Sequence, residues 1–331
     1  MPKPLAIIYS DLHLNLWPKF NEKNIRLNNG LDVIKVISEK AAKLKIPKIF
    51  LGDLLHKEDY LSNDLLEELL PALSNYFGPK YGTKTFALSG NHDQSKQNII
   101  DDESPSYIKT FAKTFSNLEC IDFKTFILDN GSKPIYFHGV PYLTNDMGLI
   151  QYIGNLGFRH KDKTNVLLLH TTLPSARDTD ERTIHSNLEP NEFLKATKHF
   201  KLVLSGHIHK PEMVITDFMY SVGAPQQQRA TDRNCDMGYW ILYDNLKMKF
   251  VHLDKYPKFV YYAENKEIKN DGNFWIKKTE LKNKSNSTES SINENISNRD
   301  LKLVARDYCK FKGINDTRKI KALENILKKV I

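Results

Sequence analysis

The segment LVLSGHIHKPE, residues 202–212, leads from a short apolar run through a glycine into two histidines one residue apart. An apolar run of this length that ends at a glycine is typical of a buried β-strand. His207 and His209 are then either packed at the end of that strand or ligands of a metal ion. Because alternate side chains of an extended segment share a side, both imidazoles are expected to face one site. The segment by itself leaves both interpretations open.

Four other apolar runs lead into polar residues in the same way. In an open α/β sheet the binding site lies outside the carboxyl ends of the strands, so we expect these loops to converge in space. Taken singly, each motif is more often structural, as a capping aspartate or a packed histidine. Five strand ends with complementary ligands indicate a metal site instead. The runs and the residues after them are LAIIYS before Asp11 and His13, KIFL before Gly52 and Asp53, TFALS before Asn91, His92 and Asp93, and NVLLL before His170.

Two segments between these runs have the periodicity of helices. In residues 31–45, LDVIKVISEKAAKLK, apolar residues recur every three or four positions, which predicts a helix that packs on the core. Residues 62–77 predict a second helix, with Ser62 or Asn63 as its N-cap. Residues 212–262 are instead rich in aromatic and β-branched residues broken by Gly, Pro, Asn and Asp, which predicts strands. Strands that alternate with helices predict an α/β fold.

The composition fits a soluble chain with a core of ordinary size. Of the 331 residues, 40% are hydrophobic and 27% are charged, and no apolar run approaches the length of a membrane span. The first residues lack the apolar stretch and cleavage site of a signal peptide, so we expect a cytoplasmic protein without a membrane partner. The three cysteines are widely spaced and form no CxxC pair, which argues against a disulfide framework and against a zinc–thiolate site.

The C-terminal part of the chain differs from the rest in composition. Residues 283–299 are nearly all Asn, Ser, Glu and Lys, which predicts a linker. Residues 300–331 regain helical periodicity on both sides of a break at KGIND, which predicts a helical hairpin. This hairpin holds nine Lys or Arg and four acidic residues, and the whole chain carries a formal charge of +8, which favours a polyanionic partner. The hairpin either docks on a partner protein, contacts DNA or packs on its own domain.

Together the strand-end motifs resemble the calcineurin-like metallophosphoesterase superfamily. Its pattern is D-x-H, G-D, G-N-H-[DE], H and G-H-x-H, and the chain fills every position of it between about residues 5 and 225. The stretch GDLLHKEDY, residues 52–60, resembles the DNA-repair nuclease branch, that is, the SbcD-type exonuclease subunits and their bacteriophage relatives. The stretches FHGVPY and YSVGAPQQQR resemble segments of that branch near the metal site. Protein Ser/Thr phosphatases instead carry Arg-Gly after the G-D motif, and GNHE in place of GNHD.

This resemblance implies a fold and a domain organisation. The expected fold is a metallophosphoesterase β-sandwich flanked by helices, with a small β-containing cap and a C-terminal helical hairpin. Residues 1–225 are expected to form the nuclease core, and residues 226–282 the remaining core strands and a reduced capping domain. Residues 283–299 are the predicted flexible linker, and residues 300–331 form the basic hairpin that docks on a partner.

The resemblance also implies two divalent metal ions, with Mn²⁺ as the usual choice of the superfamily. Two ions about 3.5–4 Å apart need an anion with two oxygens between them, and Asp53 is expected to be this bridge. Carboxylate, carboxamide and imidazole donors together suit Mn²⁺, Fe²⁺ or Zn²⁺ better than Mg²⁺ or Ca²⁺. The other expected ligands are Asp11, His13 and His209 for the first ion and Asn91, His170 and His207 for the second.

His92 and Asp93 are the expected catalytic residues. His92 resembles the superfamily's histidine that gives a proton to the leaving group without binding metal, and Asp93 is expected to orient its imidazole. His56, in GDLLHK, is either a substrate contact of the nuclease branch or an ordinary histidine at the start of a helix. His138 ends an apolar run and is expected to be packed.

These inferences predict a Mn²⁺-dependent DNA exonuclease and endonuclease, the nuclease subunit of an ATPase-coupled DNA repair or recombination complex. The resemblance implies DNA as the substrate, a coiled-coil ATPase of the SbcC type as the partner, and a homodimer. A small-molecule phosphodiesterase or phosphomonoesterase on the same scaffold is the alternative. A metal-free interaction scaffold is disfavoured, since no ligand is missing from the motifs.

Overall fold

The computed structural model describes residues 2–20, 22–57, 61–94, 104–129, 133–178, 182–262 and 271–277. The described residues divide into two units, one of those up to Val260 with Gly272–Phe274, and the other of Tyr261, Tyr262, Asp271 and Trp275–Lys277. The predicted linker and helical hairpin, residues 283–331, lie outside the described residues. Among the residues that are described, no helix is both long and apolar enough to cross a membrane.

Both helices predicted in residues 31–77 are present. The first begins before the predicted segment, at Ile25, and ends at Leu44. In the second, the Ser62 hydroxyl accepts a hydrogen bond from the backbone N–H of Leu65 at 3.3 Å, which makes Ser62 the N-cap. The helices of the described residues are α1 Ile25–Leu44, α2 Asn63–Phe77, α3 Tyr107–Thr114, α4 Asp146–Arg159 and α5 Pro190–Thr197.

The strands of the described residues form two six-stranded mixed sheets and one two-stranded sheet. In chain order they are β1 Pro4–Tyr9, β2 Lys48–Phe50, β3 Thr85–Ala87, β4 Leu118–Cys120, β5 Thr125–Asp129, β6 Pro134–Val140, β7 Thr164–His170, β8 Leu202–Gly206, β9 Glu212–Ile215, β10 Met219–Ser221, β11 Gly238–Tyr243, β12 Met248–His252, β13 Phe259–Tyr262 and β14 Phe274–Lys277. The first sheet has the order β12-β11-β1-β2-β3-β4, the second β5-β6-β7-β8-β10-β9, and the third β13-β14. The strands predicted in residues 212–262 are confirmed.

A hydrophobic core lies between the two large sheets. Ile8, Ile49 and Phe86 of the first sheet belong to the same buried cluster as Phe137 and Leu168 of the second. The outer face of the first sheet packs on α1, α2 and α3, and the outer face of the second packs on α4 and α5. This order of helices, sheet, sheet and helices confirms the predicted fold class, a β-sandwich flanked by helices.

The first strand shows why the apolar runs are continuous rather than alternating. Along β1, Ile8 points into the core between the sheets, whereas Ile7 and Tyr9 belong to the cluster under the helices. All three side chains are fully buried. A strand covered on both faces needs apolar residues at every position, and this gives the run LAIIY its composition.

The parallel strands bring their carboxyl ends together. β1, β2 and β3 are parallel neighbours in the first sheet, and β7 and β8 are parallel neighbours in the second. The chain beyond residue 225 completes the first sheet, because β11 pairs antiparallel with β1 and β12 pairs with β11. The reduced capping domain stays a prediction. The loops after β1, β2, β3, β7 and β8 carry the candidate ligands.

Candidate metal centre

The structure brings the seven predicted metal ligands to one place, at the carboxyl ends of the five strands. Among the described residues, three groups have ligand atoms within 4.8 Å of one another, and two of these groups consist of predicted ligands alone, the third being His13, His56 and His92. The first group is Asp11, His13 and His209, and the second is Asp53, His170 and His207. These groupings agree with the sets that the resemblance implies. Their binding of particular ions stays a prediction.

Backbone conformation at the site is unusual. Four candidate ligands have positive φ angles, which non-glycine residues seldom adopt and which cost about 1–3 kcal/mol each. They are Asp11 at 55°, His13 at 45°, Asp53 at 59° and His207 at 85°. Gly52 also has a positive φ, and a Cβ there would lie 2.6 Å from the ring nitrogen Nδ1 of His170. The G-D motif therefore needs its glycine for both the backbone angle and the close approach.

His207 and His209 reach the site in a different way from the one that the sequence predicts. β8 ends at Gly206, and the left-handed backbone of His207 breaks the extended conformation. The two imidazoles therefore share the site because the chain turns there, and the argument from alternating side chains is wrong. The backbone N–H of His207 donates to the carboxylate of Asp11 at 3.0 Å, which holds this turn against the loop after β1.

The first group is almost wholly buried. The Nε2 atoms of His13 and His209 face each other at 3.1 Å, and Asp11 Oδ1 lies 3.9 Å from His13 Nε2. The exposed fractions of Asp11, His13 and His209 are 0%, 4% and 7%. Two imidazole nitrogens at this distance need a proton or a cation between them, because two lone pairs repel each other.

The second group is arranged around Asn91. The carboxamide oxygen of Asn91 lies 3.2 Å from His170 Nε2 and 3.0 Å from His207 Nδ1. The Nδ1–H of His170 donates to the backbone carbonyl of Leu51 at 2.6 Å, which leaves its Nε2 as the nitrogen that faces Asn91. Asn91 is thus placed with the two histidines with which the resemblance groups it.

Asp53 lies between the two groups. Its Oδ2 is 3.5 Å from His13 Nε2 and 3.3 Å from His170 Nε2, and its Oδ1 accepts the backbone N–H of His92 at 2.9 Å. A carboxylate in this position can contact cations on both sides. Its role as the bridging ligand stays a prediction.

Charges within the centre shift the pKa values of its members. Burial disfavours the charged form of Asp53, but the imidazoles of His170 and His13 outweigh burial and hold the pKa of Asp53 well below its usual range. Burial would lower the pKa of His170, yet the Asp53 carboxylate raises it to about 9. Burial, with the charge of His170, lowers the pKa of His207 to about 3. Since a metal ion binds neutral imidazole, loading the centre is expected to release a proton from His170.

The donor atoms fit divalent metal ions. Carboxylate oxygens, a carboxamide oxygen and imidazole nitrogens converge at the site. Among the described atoms, Nδ1 of His13 is buried and has no hydrogen-bond partner. The polar contact of this ring is therefore made by its Nε2, which faces Nε2 of His209. This mixture of oxygen and nitrogen donors suits Mn²⁺, Fe²⁺ or Zn²⁺.

His92 lies beside the first group. Its ring is 4.8 Å from that of His13 between centroids, in an edge-on arrangement. Its Nδ1 lies 2.6 Å from the backbone carbonyl of His56. Because a carbonyl only accepts, Nδ1 carries the hydrogen, and Nε2 is the nitrogen left to act on a substrate.

Asp93 has other partners than the expected one. Its buried carboxylate accepts the backbone N–H groups of Asp53, Leu54 and Gly90 at 2.7, 3.0 and 3.0 Å. The Asp93 carboxylate turns towards the backbone amides of the G-D and GNHD loops. The His92 ring is therefore contacted by the His56 carbonyl and not, as expected, by Asp93. A catalytic role for Asp93 stays a prediction.

His56 lies between two rings, stacked on that of His92 and tilted against that of Trp17. Its centroid lies 5.3 Å from that of His92 with an angle of 13° between the planes, and 4.3 Å from that of Trp17. Burial, with the nearby His92, lowers the pKa of His56 to about 4. The alternative of a histidine at a helix start is wrong, since α2 begins only at Asn63. Contact with substrate stays a prediction. His138, as expected, is packed, with hydrogen bonds to Thr125 and Asn165.

A pocket of about 280 Å³ opens in front of the histidines and is also lined by Trp17, Gln228 and Arg229. The guanidinium of Arg26 lies 3.9 Å from the Trp17 ring centroid and donates to the Gln228 carbonyl at 2.6 Å. The sequence motifs did not single out Trp17 or Arg26. The signal available for Trp17 was its position four residues after His13.

Comparison with known proteins decides the family. Residues 6–211 match the calcineurin-like phosphoesterase family, which is more than half of the chain. The chain belongs to this family. It is therefore a metallophosphoesterase-type phosphoester hydrolase, of a family that binds two divalent metal ions, and its clustered His and Asp side chains could hold them. No curated protein sequence matches the chain.

Several solved structures resemble this calcineurin-like phosphoesterase at low sequence identity. One is a putative 5′-nucleotidase from Staphylococcus aureus, with 15% identity, a TM-score of 0.44 and coverage of 75% of this chain and 52% of that one. Another is a dimetal phosphatase from Danio rerio, with 10% identity, a TM-score of 0.48 and coverage of 76% and 96%. A third is the calcineurin-like phosphoesterase YfkN from Bacillus subtilis, with 12% identity, a TM-score of 0.42 and coverage of 76% and 89%. The chain spans about half the length of the Staphylococcus aureus protein.

Proposed function

We propose that this phosphoesterase is a Mn²⁺-dependent DNA exonuclease and endonuclease of the SbcD type. The observation that carries the proposal is His56, which stacks on His92 and lines the pocket. His56 lies in the stretch GDLLHKEDY, which resembles the DNA-repair nuclease branch, whereas protein Ser/Thr phosphatases have Arg-Gly after the same G-D motif. The faces of this ring are covered by His92 and Trp17, so it is the part of His56 that lines the pocket that can contact a nucleotide beside the scissile phosphate.

Two divalent ions held by the seven candidate ligands would supply a nucleophilic hydroxide at neutral pH and neutralise the phosphoryl oxygens. The chain itself would supply the proton for the leaving oxygen. Because the carbonyl of His56 fixes the hydrogen of His92 on Nδ1, the proton for the leaving oxygen would be given from Nε2, the other ring nitrogen. His92 in this orientation is suited to general acid catalysis.

The charge of the pocket rim supports a polyanionic substrate. The side chain of Arg229 is 65% exposed and lines the pocket, so it can contact a phosphate next to the one that is cleaved. The formal charge of +8 on the whole chain favours the same class of substrate.

A small-molecule phosphodiesterase or phosphomonoesterase is the second candidate. The pocket is small, about 280 Å³, close to the lower limit of roughly 300 Å³ for small-ligand sites. A pocket of this size does not by itself demand a polymer.

One experiment separates the two candidates. The full chain is offered linear double-stranded DNA, single-stranded DNA and bis(p-nitrophenyl) phosphate, each with Mn²⁺ and with a chelator. Cleavage of both DNA forms and of the ester, with Mn²⁺ alone, is the expected result. DNA left intact while the ester is hydrolysed would make the chain a small-molecule phosphodiesterase. Replacing Mn²⁺ by Zn²⁺, Fe²⁺ or Mg²⁺ at equal concentration shows which metal ion supports the fastest cleavage.

The partners are proposed from the sequence alone. A coiled-coil ATPase of the SbcC type is proposed to bind residues 300–331, whose apolar periodicity and nine basic residues suit docking. A homodimer is proposed from the same resemblance. Deleting residues 285–331 is expected to abolish co-purification of the ATPase and to leave ester hydrolysis unchanged. Weaker, less salt-dependent DNA binding by the deleted chain would assign the segment to DNA instead.

A further inference from the structure

A carboxylate outside every predicted motif contacts one of the candidate ligands. Oδ2 of Asp232 lies 3.0 Å from Nδ1 of His209. Their exposed fractions are 1% and 7%. An ionised carboxylate only accepts, so Nδ1 of His209 carries the hydrogen and donates it. In the neutral ring the lone pair is then on Nε2, the atom that lies 3.1 Å from Nε2 of His13 in the first group.

Asp232 is itself held firmly. Its Oδ2 also accepts the backbone N–H groups of Gln228 and Arg229 at 2.9 and 3.1 Å. The Nε of Arg229 lies 3.5 Å from Oδ1 of the same carboxylate. A carboxylate with this many donors keeps its position and its charge. It can therefore fix the orientation of the imidazole that it contacts.

The other imidazoles of the two groups have no such partner among the described residues. The Nδ1 of His170 donates to the neutral carbonyl of Leu51 at 2.6 Å, and the Nδ1 of His13 has no partner. The Nδ1 of His207 faces Asn91 within the centre. A carboxylate behind a ligating imidazole fixes its tautomer and increases the basicity of the other nitrogen more than a carbonyl does. The first group therefore has a support that the second group lacks.

The same carboxylate also has a structural part, which an experiment must separate from its effect on His209. The loop that it closes is fastened to the first strand, because Nε2 of Gln228 donates to the carbonyl of Leu12 at 2.9 Å. Loss of Asp232 could loosen this loop, and with it the whole pocket. A loosened loop would weaken both groups together, whereas a misoriented His209 would weaken the first group alone.

We propose that Asp232 is a positioning residue, which holds His209 towards a divalent ion in the first group and sets the affinity of that ion. This inference rests on the metal binding of the proposed function and not on its DNA substrate. It concerns a residue beyond the stretch 6–211 that matches the family.

The test is a calorimetric titration of the full, metal-free chain with Mn²⁺. Asp232→Asn keeps the size of the side chain and removes its charge. We expect one of two binding steps to weaken by about 10–100-fold, the usual effect of such a substitution, and the other to change by less than about threefold. The matched control is Asp217→Asn, since Asp217 is exposed and pairs only with a surface lysine, Lys247, among the described residues. The control is expected to leave both steps unchanged.

Two outcomes would overturn the proposal. One is a variant with both steps as in the parent. The other is an equal weakening of both steps together with a lower melting temperature of the metal-free chain. This result would mean that Asp232 only stabilises the loop. Because no DNA is present, a failure of the chain to cleave DNA would contradict the nuclease proposal and leave this result intact.

A second measurement needs no folded Asp232 variant. Imidazole ¹H–¹⁵N spectra of the Zn²⁺-loaded parent chain, with the His209 signals assigned by their loss in His209→Gln, report which ring nitrogen carries hydrogen. A slowly exchanging hydrogen on Nδ1 of His209 is expected. A hydrogen on Nε2, or none that is protected, would overturn the proposal.

Discussion

Strand β2 has a buried ionisable group near each end, and the two groups have different surroundings. Lys48, its first residue, is fully buried, and its Nζ donates to the Ser38 hydroxyl at 2.8 Å and the Tyr76 carbonyl at 3.0 Å. Asp53, three residues past the strand, is equally buried but lies among imidazoles. Burial lowers the pKa of Lys48 to about 7, whereas imidazoles hold the pKa of Asp53 well below its usual range.

This difference separates a functional charge from a structural one. At the carboxyl end of the strand, groups of opposite charge converge and favour ionisation, as a metal centre requires. At the amino end, the described partners of the cation are two neutral oxygens, and its charge costs stability. Four substitutions test this contrast, beginning with the largest expected effect.

Asp53→Asn is expected to have the largest effect. The carboxamide cannot bridge two cations with two anionic oxygens, so we expect hydrolysis of bis(p-nitrophenyl) phosphate to fall by more than about 10⁴-fold, beyond the usual contribution of a single acid. Elemental analysis is expected to find less than two Mn²⁺ per chain. Asp217→Asn is the matched control. Two ions retained in the variant would contradict the bridging role.

His92→Asn is expected to slow cleavage by about 10²–10⁴-fold, the range for a positioned general acid. Both metal ions should remain, because His92 is not one of the predicted ligands. The measurement is kcat on DNA and on the ester, together with metal content. His252→Asn, on the exposed end of β12, is the control. Cleavage at the parental rate would show that the proton comes from elsewhere.

Lys48→Met tests the other end of the strand through the pH dependence of stability. The pKa of Lys48 is about 7 in the folded chain and near its ordinary value of 10.5 in the unfolded chain. Between these values the unfolded chain binds more protons, so the free energy of unfolding rises with pH in the parent. Relative to the variant, we expect a rise of about 3 kcal/mol from pH 6.5 to pH 9.5.

Urea unfolding at the two pH values measures this difference. Lys43→Met, at an exposed position of α1, is the control and should follow the parent. Parallel stability curves for the parent and Lys48→Met would mean that Lys48 keeps its ordinary pKa. The contrast between the two ends of β2 would then be lost.

Asp93→Asn is expected to have the smallest effect of the four on free energy, a loss of about 1–3 kcal/mol of stability. One of the two oxygens becomes an NH₂ group, which leaves backbone N–H groups of the G-D and GNHD loops without an acceptor. Thermal unfolding of the metal-free chain measures the loss. Asp254→Asn, with a side chain that is 70% exposed, is the control. Unchanged stability with a large loss of kcat would restore the catalytic role that the sequence predicts for Asp93.

The sequence predicts local features well where one physical rule decides them. The continuous apolar runs identify β1, β2, β3, β7 and β8 because both faces of each sheet are covered. Strand β4, Leu118–Cys120, was missed, because the charged Glu119 lies between its two apolar residues and leaves no continuous apolar run. The linker and the hairpin in residues 283–331 stay predictions.

Within the centre, the residue types were predictable and the contacts were not. The spacing of the motifs indicated that Asp53 and His170 belong to one site, because carboxyl ends of strands meet. Nothing in the spacing indicated that Asp93 turns towards backbone amides, or that the carbonyl of His56 orients His92. A side chain as short as aspartate reaches whichever donors the folded loops place near it.

The sequence by itself determined the family, the sandwich of sheets and helices, and the set of candidate ligands, because apolar runs and strand-end motifs depend on local order along the chain. Only the tertiary structure decided that Asp232 contacts His209, that Lys48 is buried and that His207 adopts a left-handed turn. These features depend on which loops come into contact after the two sheets pack. Local sequence patterns do not indicate such contacts between residues far apart in the chain.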